Sequence, residues 1–374
     1  MKTINLRISD LRKRKKVTQQ EVADAIGVSC QTVSKWETQT CMPDITALPL
    51  LAEYFGVTVD QLLGLTALFG EAYAPDKSGT WEFWENKTDY LLHIRKSFWN
   101  TDYMEFLIKK VWKIDQPINV LDCGCGYGFL GLLMMTYLPK GSTYTGIDFS
   151  VKLVELGKKI FEEKDMTATL KCANVCNFRE ENKYDLVICQ TVLRHIDTPI
   201  QFLQKMISFG KPGALIVCVD VNREFENDGL YIDGMNYEEL CRHDGLQKKW
   251  QTELKMQGRD YAFGIRAAHV MRQLGLEQVE MRVQDMAEFV TPQLEDYEQI
   301  KQNFLASNGW DKKMISEDKE RIIQRFVSLG ASRREAEEYC ERNEKITAFF
   351  ADHPDASYTF VRALLISFGK KGRV

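Results

Sequence analysis

The residues with the clearest chemical signature form a glycine-rich turn at the end of an apolar stretch. Asp122 is followed at alternate positions by Gly124, Gly126 and Gly128. Glycines at this spacing let the backbone turn sharply and approach a bound molecule closely. A pyrophosphate ligand prefers helix N–H groups without a carboxylate beside them, so Asp122 argues against one. A ligand that carries an ammonium group would instead be attracted to this carboxylate.

A second acid lies where a ribose is held in nucleotide-binding sheets. Asp148 ends the stretch Ser142–Asp148, twenty residues beyond Gly128. A carboxylate at the end of the second strand accepts hydrogen bonds from both ribose hydroxyls. The glycine pattern is not the GxGxxG of dinucleotide enzymes, which argues against a nicotinamide cofactor. The cysteines near these turns lack the paired Cys/His spacing of a structural site, so no metal is predicted.

Alternating strands and helices are predicted to hold these residues at one edge of a sheet. A strand, a glycine turn and a helix form the first unit of a doubly wound α/β sheet, whose ligands bind at the carboxyl ends of the strands. Two late strands, residues 278–283 and 358–368, are expected to pair antiparallel. The other predicted strands are residues 118–122, 142–148, 168–173, 184–190 and 214–221, with helices at 129–137, 151–164 and 199–209.

Four motifs in this region resemble those of the class I S-adenosylmethionine-dependent methyltransferases. They are VLDCGCGYG at residues 120–128, TGID at 145–148, YDLVICQ at 184–190 and KPGAL at 211–215. The resemblance covers most of residues 81–374. It implies a Rossmann-like α/β domain with a seven-stranded, mostly parallel sheet. It also implies S-adenosyl-L-methionine as the cofactor, bound over the strand ends.

The resemblance also implies a role for individual residues. Asp122 lies near the methionine moiety, Asp148 holds the ribose, and Phe149 lies beside the adenine. Asn174 stands where many members carry Asp, and it keeps an acceptor while adding donors. The full set of implied cofactor-binding residues is Asp122, Cys123, Gly124, Gly126, Gly128, Asp148, Phe149, Asn174, Val175 and Gln190.

The segment after the fourth predicted strand, QTVLRHI at residues 190–196, resembles that of small-molecule and quinone-type methyltransferases. Gln190 is a catalytic candidate because the resemblance places it close to the sulfonium and the acceptor. His195 is the other, since an imidazole titrates near neutral pH and could remove a proton from a hydroxyl or amine. Alternatively, His195 only packs on the following helix. DNA methylation is not expected, because this strand end has neither a Pro-Pro-aromatic motif nor a Pro-Cys nucleophile.

The N-terminal stretch VTQQEVADAIGVSCQTVSKWE, at residues 17–37, has the signals of a helical hairpin. Thr18 and Glu21 predict a capping box, Gly27 a turn, and Ser29 the cap of a further helix. Residues 1–66 resemble the Cro/repressor-like (XRE-type) helix-turn-helix family. This implies an all-α bundle whose third helix reads a double-stranded DNA operator, bound as a homodimer. The implied DNA-contacting residues are Gln19, Gln20, Gln31, Thr32, Ser34 and Lys35. A bundle used only for dimerisation is the alternative.

Composition supports this division of the chain. Residues 1–66 carry eight Lys/Arg and seven Asp/Glu, a charge of +1, which leaves −5 for the rest of a chain with a formal net charge of −4. The run RKRKK at residues 12–16 adjoins the hairpin and suits phosphate contact. Residues 67–80 end in PDKSGT and are predicted to be a linker. The methyltransferase domain is then residues 81–374, with helical lid insertions expected near 222–260 and 288–356.

Segments that would target the chain elsewhere are not evident. No apolar run reaches the roughly 18 residues that span a bilayer, and the N-terminus lacks a signal peptide's apolar core. With ten cysteines and no export signal, a cytoplasmic protein with reduced thiols and no membrane contact is expected. Some further side chains could line an acceptor pocket, although the aromatic ones among them are more simply explained by packing. They are Tyr90, Trp99, Tyr103, Tyr231, Tyr261, Arg259, Arg266 and His353.

Three functions are compatible with these motifs. The first is a methyltransferase for a small-molecule acceptor, fused to a sequence-specific DNA-binding module that could couple cofactor or substrate state to transcription. The second is a transcriptional regulator whose methyltransferase-like domain only senses S-adenosylmethionine or its product. The third is an enzyme whose N-terminal helices serve only for dimerisation. The glycine turn and the two acids favour cofactor binding in all three and do not distinguish between them.

Overall fold

The computed structural model describes residues 6–64, 88, 91–92, 98–181, 183–241 and 244–373. These residues form two compact units. The first contains the N-terminal helices together with residues 244–249 and 315–340, and the second contains the remaining residues from 88 onward. The predicted linker, residues 67–80, and the pocket candidate Tyr90 lie outside the described residues.

Residues 6–64 form five short helices whose caps agree with the sequence signals. Thr18 accepts a hydrogen bond from the Glu21 N–H while Glu21 accepts one from the Thr18 N–H, so the capping box is confirmed. Gly27 ends the second helix with a φ of 73°, and Ser29 caps the third by accepting from the N–H of Thr32. The helices are α1 Ile8–Lys15, α2 Gln19–Ile26, α3 Cys30–Glu37, α4 Ala47–Phe55 and α5 Val59–Leu62.

A small apolar core holds these five helices together. Val33 and Trp36 of α3 are buried in it, as their spacing predicts. Because these two side chains point inward, Gln31 and Lys35 on the same helix remain exposed. The other buried members of this core are Leu6, Ile8, Leu11, Val22, Ala23, Leu51 and Leu62.

The second unit is built on a seven-stranded sheet. Its strands are β1 Asn119–Cys123, β2 Thr143–Asp148, β3 Thr169–Cys172, β4 Tyr184–Gln190, β5 Gly210–Val221, β7 Glu277–Val283 and β10 Leu364–Lys370. Their order is β3-β2-β1-β4-β5-β10-β7, with β10 antiparallel to both neighbours and the other pairs parallel. The mostly parallel Rossmann-like sheet is therefore confirmed. Strands β1 and β4 are almost entirely buried and largely apolar because both of their faces are covered.

Helices cover both faces of this sheet. Residues from 98–111, from the helix Phe129–Met134 and from the helix Val151–Glu163 pack on one face. The helices Pro199–Phe209 and Phe263–Gln273 pack on the other. Residues 98–111 include a short α-helix, Thr101–Phe106, which is followed directly by a π-helical segment, Leu107–Val111. Among the described helices, none combines the length and apolar character that crossing a membrane requires.

The predicted strand at residues 358–368 is wrong, because these residues belong to two strands in two different sheets. They form β9 Tyr358–Phe360 and the first part of β10, separated by residues 361–363. Ala363 has a φ of 47°, a conformation that interrupts an extended strand. Apolar residues flank the break on both sides, so the pattern gave no sign of it. The antiparallel pairing expected for the last two strands is confirmed for β7 and β10.

A second, three-stranded antiparallel sheet lies where the sequence suggested helical lids. It consists of β6 Leu230–Ile232, β9 and β8 Glu288–Val290, in the order β6-β9-β8. This order matches that of β5, β10 and β7 in the main sheet. Along the chain, β6 follows β5, β8 follows β7, and β9 precedes β10. Strands of three residues are too short for alternation to reveal them. The other helices of these regions are Arg223–Asp228, Tyr237–Leu240, Asp244–Gln257, Tyr297–Asn308, Ser316–Ser328 and Arg333–Asp352.

Candidate functional site

The glycine turn after β1 has the backbone geometry that its spacing predicts. Gly124, Gly126 and Gly128 have φ values of 78°, 57° and 85°, a region that residues with a Cβ rarely adopt. A Cβ at Gly124 would lie 2.5 Å from Val192 Cγ2, and one at Gly128 would lie 2.8 Å from the Phe161 ring. These two glycines are therefore required by the protein's own packing.

Gly126 differs from the other two glycines, because its open side faces no other part of the described chain. Within the described residues, no heavy atom lies within 4 Å of a Cβ built on it. Its N–H donates to Asp148 Oδ2 at 2.7 Å, and Asp148 Oδ1 accepts from the N–H of Ser150 at 2.9 Å. A carboxylate accepts up to about four hydrogen bonds, so these contacts are compatible with holding ribose hydroxyls as well.

The predicted adenine side of the site lies at the ends of β2 and β3. Phe149 is 52% exposed, which suits a ring that stacks on a base. Asn174 Oδ1 accepts from the N–H of Cys176 at 2.8 Å, so the amide NH2 is the part of this side chain available to a ligand. Val175, also predicted to flank the adenine, has its side chain packed into the core. Because β1, β2 and β3 pair in parallel, their carboxyl ends lie at the same edge of the sheet, and these residues follow those ends.

Asp122 lies beneath the turn and has a protein partner that the sequence did not suggest. It is 1% exposed, and its Oδ2 accepts from the Tyr144 hydroxyl at 2.8 Å. Burial, and then the adjacent carboxylate, raise the pKa of Tyr144 well above its usual value, so the phenol stays protonated and donates. Cys123, also predicted to bind the cofactor, is fully buried, and burial raises the pKa of its thiol.

Gln190 ends β4 and is held by a residue from the beginning of the second unit. It is 5% exposed, and its Oε1 accepts from the Trp99 indole N–H at 3.0 Å. The next residue, Thr191, has a φ of 53°, which is strained for a β-branched side chain. Its N–H donates to Val219 O at 2.7 Å, which fixes the turn. No sequence signal distinguishes this strained threonine from an ordinary strand residue.

His195 has its Nε2 occupied by its neighbour. The Arg194 Nε–H donates to His195 Nε2 at 3.1 Å, and Arg194 also pairs with buried Asp220 at 3.6 Å. Both residues of that ion pair are nearly inaccessible. An imidazole nitrogen that accepts from an arginine cannot take up a substrate proton without breaking that contact. The geometry around Nε2 therefore favours the packing interpretation of His195.

The remaining pocket candidates make contacts with neighbouring parts of the chain. Tyr103 donates to Val283 O at 3.0 Å, and Tyr261 lies under the Arg259 guanidinium at 5.1 Å. Tyr231 is exposed and donates to Asp233. Arg266 donates to Asp260 at 2.9 Å, and His353 stacks on Phe349 at 4.3 Å. Trp99, through Gln190, is the candidate that the structure connects to a strand end of the site.

A buried charge cluster beyond the end of β5 was not foreseen. Arg362 lies 3.5 Å from Glu226 and 3.7 Å from Glu288, and it also covers the rings of Phe98 and Phe360. Burial alone would raise the pKa of Glu226, but the positive charges of Arg223, Arg194 and Arg362 outweigh it and lower the pKa. The cluster joins residues 361–363 to the helix Arg223–Asp228, which lies between β5 and β6, and to the first residue of β8.

The predicted DNA-contacting residues occupy α2 and α3. Gln31 and Lys35 are exposed, and Thr32 and Ser34 are half-buried. Gln20 is exposed and donates to Asp24 at 2.7 Å. Gln19 donates to Glu37 at 2.8 Å, so its amide holds α2 to the end of α3.

Arg12 binds the same Glu37 and joins α1 to this pair of helices. The Arg12 Nη2 donates to Glu37 Oε2 at 3.0 Å, and Nη1 donates to Val17 O at 3.1 Å. Burial raises the pKa of Glu37, but the hydrogen bonds from Arg12 and Gln19 and the nearby cations more than offset it, so the pKa is lowered overall.

We expect the Glu37→Ala substitution to destabilise the N-terminal helices by roughly 1–3 kcal/mol, because Arg12 and Gln19 lose a charged acceptor. Since the folded pKa is depressed, this contribution is present above the unfolded value of about 4.3 and is lost as the pH falls through the folded pKa. Hydrogen exchange of the α3 amides at pH 7 and near pH 4 measures both effects. Exposed Glu53→Ala is the control, and equal protection in the two variants would contradict the prediction.

The fold and the turn define a Rossmann-like domain of the methyltransferase type, preceded by a helix-turn-helix bundle. Family models agree with both parts: a helix-turn-helix family matches residues 8–62, and a methyltransferase-domain family matches residues 114–258. The chain thus carries a helix-turn-helix domain fused to a methyltransferase domain, as the two sequence resemblances predicted. The match also agrees with S-adenosylmethionine as the expected cofactor class.

Curated relatives match about a third of the chain. The ubiquinone biosynthesis O-methyltransferase of Coxiella burnetii is 26% identical over 120 residues, which are 32% of this chain and 50% of that protein. Its counterpart in Actinobacillus pleuropneumoniae is 28% identical over 125 residues, 32% of this chain and 52% of that protein. The chain therefore spans about half the length of the curated relatives it matches. Among solved structures, phosphoethanolamine N-methyltransferase 2 of Haemonchus contortus is 13% identical, with a TM-score of 0.42. The match covers 79% of this chain and 59% of that protein's chain.

Proposed function

We propose that the protein is an S-adenosylmethionine-dependent methyltransferase that acts on a small-molecule acceptor and carries its own operator-binding module. The observation that supports the enzyme most is the open side of Gly126 opposite the Asp148 carboxylate. That arrangement gives a nucleoside a hydroxyl acceptor beside a backbone it can approach closely. The names of the curated relatives agree with a small-molecule acceptor.

The residues of the site divide into binding and orienting groups. Bound S-adenosylmethionine supplies a methyl group on a positively charged sulfur, an electrophile that needs little activation. Asp148 holds the ribose, Phe149 and the Asn174 amide flank the adenine, and buried Asp122 lies under the turn, where it accepts from the Tyr144 hydroxyl. Gln190 faces the acceptor from the end of β4. Methyl transfer then depends mainly on bringing the acceptor atom into line with the methyl group.

An untargeted screen for methyl transfer tests this proposal. A metabolite extract is incubated with the purified protein and S-adenosylmethionine labelled on its methyl group, and labelled products are separated by mass. One or more small labelled products are expected. Binding of the cofactor without any labelled product would favour the alternative, a regulator that only senses S-adenosylmethionine or its product. That alternative is supported by the Arg194 contact, which occupies the Nε2 of the candidate base His195.

We further propose that residues 1–66 bind a double-stranded operator as a homodimer, through Gln31, Thr32, Ser34 and Lys35 of α3. The exposed side chains of Gln31 and Lys35 support base and phosphate contacts. In this proposal Gln20 is the better candidate for a phosphate contact, because the Gln19 amide is held by Glu37. Free thiols at all ten cysteines agree with the proposed cytoplasmic location.

Selection of operators from random DNA at fixed salt tests the module. Wild-type protein is expected to enrich one sequence, and a triple Gln31→Ala, Ser34→Ala, Lys35→Ala variant is expected to lose at least about 100-fold in affinity for it, since specific contacts contribute about 1–3 kcal/mol each. Glu53→Gln, on the exposed side of α4, is the control and should retain selection. Enrichment of the same sequence by the triple variant would rule out α3 as the reader.

A further inference from the structure

Trp99 and Gln190 form a buried hydrogen bond at the end of β4. We propose that Trp99 is a positioning residue that turns the NH2 group of Gln190 toward the acceptor, and that the acceptor atom is therefore an ionised oxygen of a phenol or enol. This inference rests on the proposed methyltransferase function and specifies the chemical class of its substrate.

The register of the sheet places Gln190 beside the glycine turn. Asp122 pairs with Ile188, so the turn that begins after β1 adjoins the end of β4. Val192, two residues after Gln190, also contacts the turn: its Cγ2 would lie only 2.5 Å from a Cβ built on Gly124. Gln190 is thus at the end of the strand that flanks β1 on the side away from β2, and in this proposal an acceptor that approaches the methyl group meets it.

The hydrogen bond decides which end of the Gln190 amide faces the site. An indole N–H can only donate, so the amide atom 3.0 Å from Trp99 Nε1 must be the oxygen. The NH2 group then points the other way. Trp99 itself is 4% exposed and packs near Tyr103, whose hydroxyl is bonded to Val283 O at 3.0 Å. The orientation of the amide is therefore set by a residue that is held in place.

The backbone next to Gln190 is held as firmly as its side chain. Thr191 donates its N–H to Val219 O, and its hydroxyl donates to Gln190 O at 2.8 Å. The strained φ of Thr191 is thus maintained by hydrogen bonds on both sides. In the described part of the chain, Trp99 is the only hydrogen-bond partner of the Gln190 side chain. A nearly buried NH2 group with two donors is stabilised when a ligand supplies an acceptor atom.

The NH2 group distinguishes oxygen from nitrogen acceptors. An ionised oxygen has three lone pairs, so it can accept from Gln190 with one and attack the methyl carbon with another. A neutral amine has a single lone pair, which a hydrogen bond from Gln190 would occupy. In the reaction, the hydroxyl proton first leaves to a solvent base. The oxygen lone pair then forms the O–C bond as the C–S bond breaks, and that electron pair goes to sulfur to give an ether and a neutral thioether.

Two isosteric probes, 4-nitrocatechol and 4-nitro-1,2-phenylenediamine, test the inference without turnover. Each is titrated into the full-length protein saturated with S-adenosylhomocysteine, and the absorbance of the catechol also reports its ionisation. Wild type is expected to bind the catechol as its anion with a lowered pKa, and to prefer it over the diamine. In Trp99→Phe the amide can turn its oxygen outward, so the ratio of catechol to diamine affinity should fall about tenfold. Gln190→Glu, which keeps an acceptor for Trp99 but has no NH2, should abolish anion binding.

Trp112→Phe is the matched control, because Trp112 packs against the same core and, among the described residues, its buried indole nitrogen has no hydrogen-bond partner. Its probe ratio should equal that of wild type. An unchanged ratio in Trp99→Phe, an equal loss of both probes, or no anion binding by wild type would each overturn the inference. Calorimetry with S-adenosylhomocysteine separates the two levels: absence of cofactor binding by wild type refutes the proposed function, whereas normal cofactor binding with an unchanged ratio refutes the role of Trp99.

Discussion

Asp148→Ala is expected to weaken S-adenosylmethionine binding by about 100-fold or more. The carboxylate holds the glycine turn through the N–H of Gly126 at 2.7 Å, and it is the group that we propose accepts the ribose hydroxyls. Charged hydrogen bonds of this kind contribute about 1.5–3 kcal/mol each, and two of them account for the loss. Isothermal calorimetry measures the affinity directly.

Two further variants separate the contributions of Asp148. Asp148→Asn keeps one acceptor and should lose about tenfold, because the charge is gone while the turn is still held. Gly126→Ala retains the carboxylate but adds a methyl group on the open side of the turn, so it should weaken the cofactor through contact with it. Asp115→Ala, at an exposed position before β1, is the control. If Asp148→Ala bound the cofactor as wild type does, the assignment of this site would be wrong.

Glu226→Ala is expected to destabilise the second sheet by about 3–5 kcal/mol, the largest effect on stability that the structure predicts. The substitution removes the carboxylate that Arg223 and buried Arg362 share, and of the two carboxylates near Arg362 only Glu288 at 3.7 Å then remains. Because Arg362 adjoins the break between β9 and β10, the loss should appear first in β6, β8 and β9. Hydrogen exchange by mass spectrometry can resolve these strands from the main sheet.

The same contribution has a defined pH dependence. The arginines depress the folded pKa of Glu226, so its stabilisation is complete above the unfolded value of about 4.3 and disappears as the pH falls through the folded pKa. Wild type and Glu226→Gln should therefore differ at pH 7 and converge near pH 3, since glutamine resembles the protonated acid. Exposed Glu295→Ala should match wild type at both values. A difference that persists at low pH would assign the effect to packing instead of charge.

Much of the second unit was predictable because its determinants are local. A buried parallel strand must be apolar on both faces, a tight turn beside a ligand must contain glycine, and a helix must begin at a capping residue. These requirements act over a few neighbouring residues, so Gly124, Asp148 and Ser29 could be recognised without coordinates. The order of the elements followed from them, and the cofactor class and the helix-turn-helix family followed from the resemblance of the motifs that these residues form.

The features that the sequence did not reveal depend on residues far apart in the chain. Trp99 and Gln190 are separated by 91 positions, and Arg362 lies 136 positions from Glu226. Neither residue of such a pair signals the other, because a buried tryptophan or arginine looks the same with or without a polar partner. Residues 358–368 were misassigned for a related reason, since only the positive φ at Ala363 divides two apolar strands.

Local chemistry thus determined which molecule the chain is built to hold: glycines and acids at strand ends specify a nucleoside cofactor whatever lies around them. Tertiary structure alone decided how the side chains that we propose face the acceptor are oriented. The donor–acceptor direction of the Gln190 amide depends on the one atom of Trp99 that packs against it, and the Nε2 of His195 is occupied because the same turn places Arg194 there. Hydrogen-bond direction is a property of pairs in space, which a sequence of single residues does not contain.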